Sequence, residues 1–333
     1  MSRNKITIKD IAREAGVSAA LVSFVMSNAT SGTKYRVSSE TSKRVLEVAA
    51  RLNYKPNNSA RALRSGKTGT VGVILSDIAN PFFSEIARYL EDQAYNYGYN
   101  VIFASTDENP EKFNNAVKVL MNRGVDGLIV VPCAGAEDTI RGLSKSGVNI
   151  ILLDRTIAGL ESSSVVLDNR KAAESITAKL LERGARIIDM VSYSMNISSA
   201  RERERGYIDA MSAAGLAERI HIERIAHNSY GTISEYVCAA KERGVEAFMI
   251  ATNTLSLLVI SEIYRNGFNI PSDFQVACFD RNPLYDVYGS GIIYVRQPIY
   301  DFAVNAMDLI MAHIRNGSTI DTKQIVLSPD IIG

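Results

Sequence analysis

The residues with binding or reactive chemistry fall into two groups of opposite charge. Residues 1–67 hold 13 Lys/Arg against 4 Asp/Glu, and the remainder holds 24 against 32. A head of net +9 on a body of net −8 has the electrostatics of a chain in which only the head meets a polyanion. A solvated basic surface has the same composition, so a motif must decide. In the body, carboxylates, guanidiniums and amides recur just after apolar runs: Ser76-Asp77 with Asn80-Pro81-Phe82-Phe83, Asp154-Arg155, Leu167-Asp168-Asn169, the arginine-rich stretch Ser199–Tyr207, Thr252-Asn253, Cys278-Phe279-Asp280 and Arg296-Gln297-Pro298. Carboxylates and guanidiniums bond paired hydroxyls, and an aromatic ring covers an apolar ring face, which is the chemistry of polyol binding. No catalytic set accompanies them. There is no G-x-S-x-G, no G-x-x-x-x-G-K-[ST], no G-x-G-x-x-G after the first strand, and no His close to the scattered carboxylates, so an enzyme is not expected. Cys133, Cys238 and Cys278 lie far apart in apolar stretches and read as buried thiols of a reducing cytoplasm. His221, His227 and His313 have no ligand spacing, so neither a metal nor another cofactor is expected.

Two kinds of element must position these groups. At the N-terminus, Thr7-Ile8-Lys9-Asp10 has capping-box spacing and starts a helix with Ile11, Ala12 and Ala15 on one face. Gly16 suits a tight turn, and Ser18 suits the N-cap of a second helix over Ala19–Ser27 with Leu21, Val22 and Val25 inward. A third helix over Glu40–Leu52 carries Val45, Leu46, Ala49 and Leu52. Two short helices about a glycine turn make a helix-turn-helix, and the third closes a small core. Asn57–Ser65, between Pro56 and Gly66, is too short for a stable isolated helix. From Thr70 onward, strand-like runs alternate with amphipathic helices: strands at Val71–Leu75, Tyr99–Ala104, Gly127–Val131, Asn149–Leu153, Ile187–Val191, Ala247–Ala251 and Phe274–Cys278, helices at Phe82–Asn96 and Glu111–Arg123. That alternation specifies parallel sheets covered on both faces, which bind ligands beyond the strand carboxyl ends. With 333 residues, 46% hydrophobic and 22% charged, the composition is that of a soluble globular chain. No apolar run of membrane-spanning length occurs, and the polar, basic N-terminus lacks a secretory h-region, so no membrane partner and a cytoplasmic location are expected.

Thr7-Ile8-Lys9-Asp10-Ile11-Ala12-Arg13-Glu14-Ala15-Gly16-Val17-Ser18, Leu52-Asn53-Tyr54-Lys55-Pro56-Asn57 and Ala60-Arg61-Ala62-Leu63 together resemble the lactose-repressor (LacI/GalR) family of transcriptional regulators. The resemblance runs along nearly the whole chain. It implies an all-α helix-turn-helix head over residues 1–56, a hinge helix over 57–66, and a two-lobed α/β body over 67–333 similar to periplasmic sugar-binding proteins. Lobe 1 would take about 70–166 and 296–325, lobe 2 about 167–295 and 326–333. By resemblance, the second helix enters the major groove of a pseudo-palindromic double-stranded operator. Ala19, Ala20 and Phe24 would meet base edges, and Lys9, Ser18, Ser23 and Tyr54 the backbone. Family members often carry polar residues where this chain has Ala20 and Phe24. Apolar readers contact thymine methyls, so an A·T preference is expected there, unless Phe24 only packs within the head. Leu63 would wedge into the minor groove at the dyad, with Asn57, Arg61 and Arg64 beside it on the DNA, although a mere linker is the alternative for this segment. The stretch Asn28–Val37, longer than is typical, adds Lys34 and Arg36, either for the DNA backbone or as a solvated loop.

In the body, the resemblance implies effector contacts from Asp77, Phe82, Arg155, Arg203, Asn253 and Asp280. Asp77 has the alternative of capping the following helix and Asp280 that of pairing with Arg281, whereas Arg201 and Arg205 read as surface residues. The family often has acidic residues where this chain has Thr254 and Arg281, which leaves a sugar, a sugar phosphate and a nucleobase open as the effector and could favour an anionic one. The expected whole is a homodimeric repressor whose ligand rotates the lobes and shifts the heads between DNA-binding states by about 1–3 kcal/mol of coupling. A solute receptor sharing the two-lobed body would need a signal peptide and no DNA head.

Overall fold

The structure, a computed structural model, describes residues 6–31, 37–54, 66–226, 230–283, 285, 291–316 and 321–333. It divides into two compact units, Met1–Thr68 and Gly69–Gly333. The break falls two residues beyond the expected start of the body.

The first unit holds α1 (Ile8–Ala15), α2 (Ala19–Ser31) and α3 (Ser39–Arg51). Thr7 donates its amide and hydroxyl to the Asp10 carboxylate at 3.0 and 2.7 Å, tying down the first turn. These two bonds hold the Asp10 carboxyl below its ordinary value. Gly16 ends α1 in the left-handed conformation at φ 64°, which a glycine adopts without steric penalty. Ser18 then caps α2 by accepting from the Leu21 amide at 3.2 Å. The core is Ile11, Ala12, Ala15, Val22, Val25, Val45, Val48 and Ala49. Three expectations are corrected. Leu46 is 40% exposed, and Val48 is covered in its place: each shares a helical face with Val45, Ala49 and Leu52, and the packing of α3 against the head core covers the Val48 side. Leu21 is half-buried rather than inward. Helix α2 also continues through Ser31, so Asn28–Ser31 belong to the helix and not to a loop.

The second unit contains two six-stranded sheets. Strands β1 (Thr70–Leu75), β2 (Asn100–Ser105), β3 (Gly127–Val130), β4 (Ile150–Leu153), β5 (Ser164–Leu167) and β11 (Gln324–Leu327) form lobe 1 in the order β11-β5-β4-β3-β1-β2. Strands β6 (Ile188–Tyr193), β7 (His221–Ile225), β8 (Ala247–Ile250), β9 (Gln275–Phe279), β10 (Ile292–Arg296) and β12 (Asp330–Ile332) form lobe 2 in the order β12-β10-β9-β8-β6-β7. All pairings are parallel except β10 with β12, where Tyr294 faces Ile332. Lobe 1 carries α4 (Pro81–Asn96), α5 (Pro110–Asn122), α6 (Glu137–Lys145) and α11 (Ile299–Asn316); lobe 2 carries α7 (Asn169–Glu182), α8 (Ser198–Ala213), α9 (Ile233–Glu242) and α10 (Asn253–Arg265). The chain passes between lobes after β5, after β10 and after β11. The last crossing lies at Ser328-Pro329, so the expected boundary at 325/326 cut through a strand. Strands β5, β7, β10, β11 and β12 are not in the expected list. The central strands β5 and β10 do have short apolar runs, whereas β7, β11 and β12 are edge strands with partly exposed, mixed sequences such as His221–Ile225, which lack the apolar run of a central parallel strand.

One apolar cluster runs from β1, β3 and β4 through α4 and α11 to α7, α8 and the strands of lobe 2. Helices α7 and α8 lie so close that a Cβ on Gly206 would stand 2.1 Å from the Arg170 carbonyl oxygen. Cys133 and Cys278 are buried, and burial pushes their thiols up to about 11 and about 12. Cys238 departs from the expectation of burial: it is only partly covered, and its Sγ lies 3.3 Å from Asn266 Oδ1. Among the described residues, no helix is long and apolar enough to cross a membrane, and no group of three or more His, Cys, Asp or Glu is placed to hold a metal ion.

Candidate functional site

The head presents its candidate readers on the N-terminal part of α2. Lys9, Ser18, Ala19 and Ala20 are exposed, whereas Ser23 and Phe24 are half-buried. Tyr54 packs against the head core, so it shapes the fold whatever else it meets. Its amide donates to the Ala49 carbonyl at 2.9 Å, which fixes the exit of α3. Asn57, Arg61, Leu63 and Arg64 lie outside the described residues, as do Lys34 and Arg36.

In the second unit, the carboxyl ends of both sheets converge on a cavity of about 420 Å³, within the usual range for a small-molecule site. Asp77, Phe82, Arg155, Arg203, Asn253 and Asp280 all line it, from three strand ends and three helices. Asp77 Oδ1 accepts from the Ala79 amide at 2.8 Å and so closes the turn before α4. The helix cap itself is Asn80, whose Oδ1 accepts from Phe82 N at 3.0 Å. Phe82 anchors the first turn of α4 edge-on to Phe83 and Phe302. Asn80 also joins the lobes. Its side-chain amide and that of Asn253, the first residue of α10, exchange hydrogen bonds at 2.8 and 3.2 Å. A second interlobe bond runs from the Thr156 amide to Ser198 Oγ at 2.8 Å.

The charged floor is more densely paired than the sequence suggested. Arg203 points inward from α8. Its Nε donates to Asn169 Oδ1 at 2.7 Å and its Nη1 to the Ala251 carbonyl at 2.5 Å, and the guanidinium sits 3.8 Å over the Phe279 ring. Its neighbours in sequence differ: Arg201 donates to Asn196 and Arg205 pairs with Glu202 at the surface. Arg155 is buried too, and both its Nη atoms engage the Glu108 carboxylate at 2.8 and 2.7 Å, while Nη1 also donates to the Pro132 carbonyl at 2.9 Å. Asp280 accepts from Gln297 Nε2 at 2.6 Å. Burial raises the carboxyls of Asp154 and Asp280 above the ordinary range, against the pull of Arg155 and Arg203. Burial likewise lowers Arg203. Burial also pulls Arg155 down, but Glu108 and Asp154 more than offset it, so its net shift is upward.

Of five non-glycine residues with positive φ among those described, four line this cavity: Asp107 at 51°, Glu108 at 57°, Asp154 at 65° and Asp280 at 69°. Each such residue stores about 1–3 kcal/mol of backbone strain, which persists where the surroundings over-determine it and which concentrates at functional sites. Four buried polar atoms of lining residues have no hydrogen-bond partner: Asp154 Oδ1, Arg155 Nε, Ser192 Oγ and Gln297 Oε1, although Arg155 Nε lies 3.3 Å from Asp154 Oδ2 as an ion pair.

Comparison with known proteins decides the family. Residues 7–57 match the model of bacterial regulatory proteins of the lacI family, residues 68–231 that of periplasmic binding proteins and the sugar binding domain of the LacI family, and residues 177–333 that of a periplasmic binding protein-like domain. Catabolite control protein A of Priestia megaterium is 33% identical over 334 residues, covering 97% of this chain and 96% of that protein. The chain belongs to the lacI family of bacterial regulatory proteins. Among solved structures, transcription regulator CcpA of Lactococcus lactis is 26% identical, with 79% of this chain and 97% of that chain covered at TM-score 0.70. A cellobiose complex of the transcriptional regulator CelR shares the fold, at 21% identity, 98% coverage of both chains and TM-score 0.71.

This lacI-family member is therefore a DNA-binding transcriptional regulator: its helix-turn-helix head is the family's DNA-binding module, and its two-lobed body is the effector-binding domain. Among the cleft residues not singled out as contacts from sequence are Asn80, Asp107, Glu108, Asp154, Ser192 and Gln297. Asn80 and Gln297 stood in the quoted strand-end segments, where the carboxyl-end rule already pointed. Ser192 ends an apolar strand and carries no sequence signal. Glu108 sits in the polar stretch Thr106-Asp107-Glu108-Asn109, which reads as an ordinary turn.

Proposed function

We propose that a small polyhydroxylated molecule, a sugar or sugar derivative, binds between the two lobes of this regulator and sets the affinity of its heads for an operator, at which the protein acts as a repressor. The observation that carries this reading is the single cavity in which strand ends of both lobes place Asp77, Phe82, Arg155, Arg203, Asn253 and Asp280. A ligand there touches both lobes at once, so it has the differential affinity for their relative arrangements that a population shift needs. The solved CelR complex holds cellobiose. The protein acts as a homodimer, with α2 of each head in the major groove of one half-site, half-sites about 34 Å apart, Ala20 and Phe24 against thymine methyls, and Leu63 at the dyad in the minor groove.

The test joins two measurements on the full chain. A thermal-shift screen against sugars, sugar phosphates and nucleobases finds the effector, since a ligand at 100 times its Kd adds about 2.7 kcal/mol to stability. Fluorescence anisotropy at fixed salt, on an operator selected from a random duplex pool, then compares DNA affinity with and without that ligand. A change in operator affinity is expected. A ligand that stabilises the protein yet leaves operator affinity unchanged refutes the coupling, and undiminished DNA binding by a chain lacking residues 1–66 refutes the head as reader.

A further inference from the structure

We infer that Glu108 sets the charge class of the effector: by holding Arg155 inside the cleft, it closes the site to phosphorylated and other anionic ligands and selects uncharged, hydroxyl-bearing ones. The inference rests on the cleft being the effector site. Sequence alone left an anionic ligand open, with two arginines among the expected contacts. A guanidinium fork is a natural receptor for phosphate or carboxylate when its N–H groups are free. Here both Nη atoms of Arg155 are engaged, each bonded to one oxygen of the same carboxylate and Nη1 to Pro132 as well, while Nε makes no hydrogen bond but faces the Asp154 carboxylate at 3.3 Å. Both members of the pair are largely buried, at 7% and 13% side-chain exposure. An incoming anion must expel Glu108 from Arg155 or bury a further negative charge beside it.

The rest of the cleft offers no replacement. Arg203 spends Nε and Nη1 on Asn169 and Ala251, and Asp154 and Asp280 are the carboxylates within its electrostatic reach. Five carboxylates line the cavity, Asp77, Asp107, Glu108, Asp154 and Asp280, against the two guanidiniums. Of the unpartnered buried atoms, Ser192 Oγ can donate or accept and Arg155 Nε already faces Asp154, whereas the other two ask for the opposite of an anion. Asp154 Oδ1 and Gln297 Oε1 accept hydrogen bonds and do not donate, unless the carboxyl is protonated. A sugar hydroxyl donates to such atoms, whereas a phosphate dianion only accepts.

Glu108 is also held in place by more than its partner. It follows Asp107, and both residues take left-handed backbone conformations. The Asp107 carboxylate is fixed by the hydroxyl of Ser105 at 3.1 Å and the ammonium of Lys112 at 2.5 Å. A glutamate is poorly suited to that conformation, so the turn is shaped by its surroundings and not by local preference. The result is a counter-ion delivered from the β2–α5 turn to a guanidinium at the end of β4.

Isothermal titration of the full chain with matched pairs tests this: glucose and glucose 6-phosphate, ribose and ribose 5-phosphate, fructose and fructose 1-phosphate, with cellobiose as a further uncharged probe. In the wild type, an uncharged sugar is expected to bind, with its phosphate ester at least about ten-fold weaker, because like charges brought together across an interface oppose binding. Glu108→Gln frees the Arg155 fork and should improve the ester by about ten-fold relative to its parent sugar. The double variant Glu108→Gln/Arg155→Gln removes both charges of the pair and leaves Asp154 with Arg203 as its nearby cation, and circular dichroism checks that it folds; it should not gain the ester. A wild type that binds an ester as tightly as its parent sugar overturns the role of Glu108 and leaves the cleft as effector site intact, as does a folded Glu108→Gln with unchanged preference. Failure of every uncharged probe and every ester to bind removes the sugar reading itself, and this inference with it.

Discussion

Both lobes end the third strand of their sheet order with the same dipeptide. Asp154-Arg155 follows β4 and Asp280-Arg281 follows β9, and both aspartates take the left-handed backbone that turns the chain at the cleft. From there the two sites diverge. In lobe 1, Arg155 is buried and doubly bonded to Glu108, while Asp154 keeps one oxygen without a partner. In lobe 2, Arg281 is exposed, Asp280 accepts from Gln297, and the buried guanidinium comes instead from Arg203 on α8. A repeated scaffold thus supplies repeated positions, and the chemistry at each is assigned by a non-repeated neighbour: the β2–α5 turn in one lobe and a helix in the other.

The sharpest way to break this comparison is to remove each arginine of the repeated dipeptide. Arg155→Ala leaves Glu108 and Asp154 buried without their cation and should cost about 3–5 kcal/mol, whereas exposed Arg281→Ala should stay within about 0.5 kcal/mol. Urea unfolding of the two variants reads the difference, and equal costs would mean that the dipeptides play the same part in both lobes. Next in size is Gly206→Ala. It drives a methyl into the Arg170 carbonyl, where α7 and α8 touch, and should cost about 1–3 kcal/mol or more. Because Arg203 lies one turn earlier on α8, the same variant should weaken ligand binding by titration calorimetry even where it remains folded.

A smaller effect is expected from Asn80→Ala. It removes both the cap of α4 and the amide pair that joins the lobes across the cleft, and should lower the unfolding free energy of the unliganded body by about 1–2 kcal/mol. No change in either stability or ligand affinity would show that the pair is incidental to closure. The last comparison is a slope against pH. Folding raises the Asp154 and Asp280 carboxyls, so the folded state holds the proton more tightly than the unfolded chain does. Their contribution is complete below the ordinary carboxylate value and is lost as pH rises through the raised ones. Asp154→Asn and Asp280→Asn should each flatten that part of the stability–pH curve measured by thermal denaturation. A curve identical to wild type would place that carboxyl outside the buried floor.

Much of this was legible because local patterns carry it. The helix spacing of Ile11, Ala12 and Ala15, the Gly16 turn and the Ser18 cap define the head without any long-range information. The apolar runs of most central parallel strands are equally local; the rule that ligands bind beyond strand carboxyl ends pointed to the strand-end segments, and the resemblance to the family selected within them the six expected contacts, all of which line one cavity. What failed locally was of two kinds. Leu46 and Val48 are both apolar, and only the packing angle of α3 decides which is covered. The edge strands β7, β11 and β12 form because a neighbour offers unpaired backbone, not because their residues demand it.

By itself, then, the sequence determined a basic helix-turn-helix head, an acidic body of alternating strands and helices, and the set of polar groups available at the strand ends, since each depends on residue type and short spacing. Only the tertiary structure decided which of those groups remain free. Glu108 is 47 residues from Arg155 and Asn80 is 173 from Asn253. A charge or an amide is available to a ligand only if no protein group has claimed it, and those claims are made across distances that no local pattern encodes.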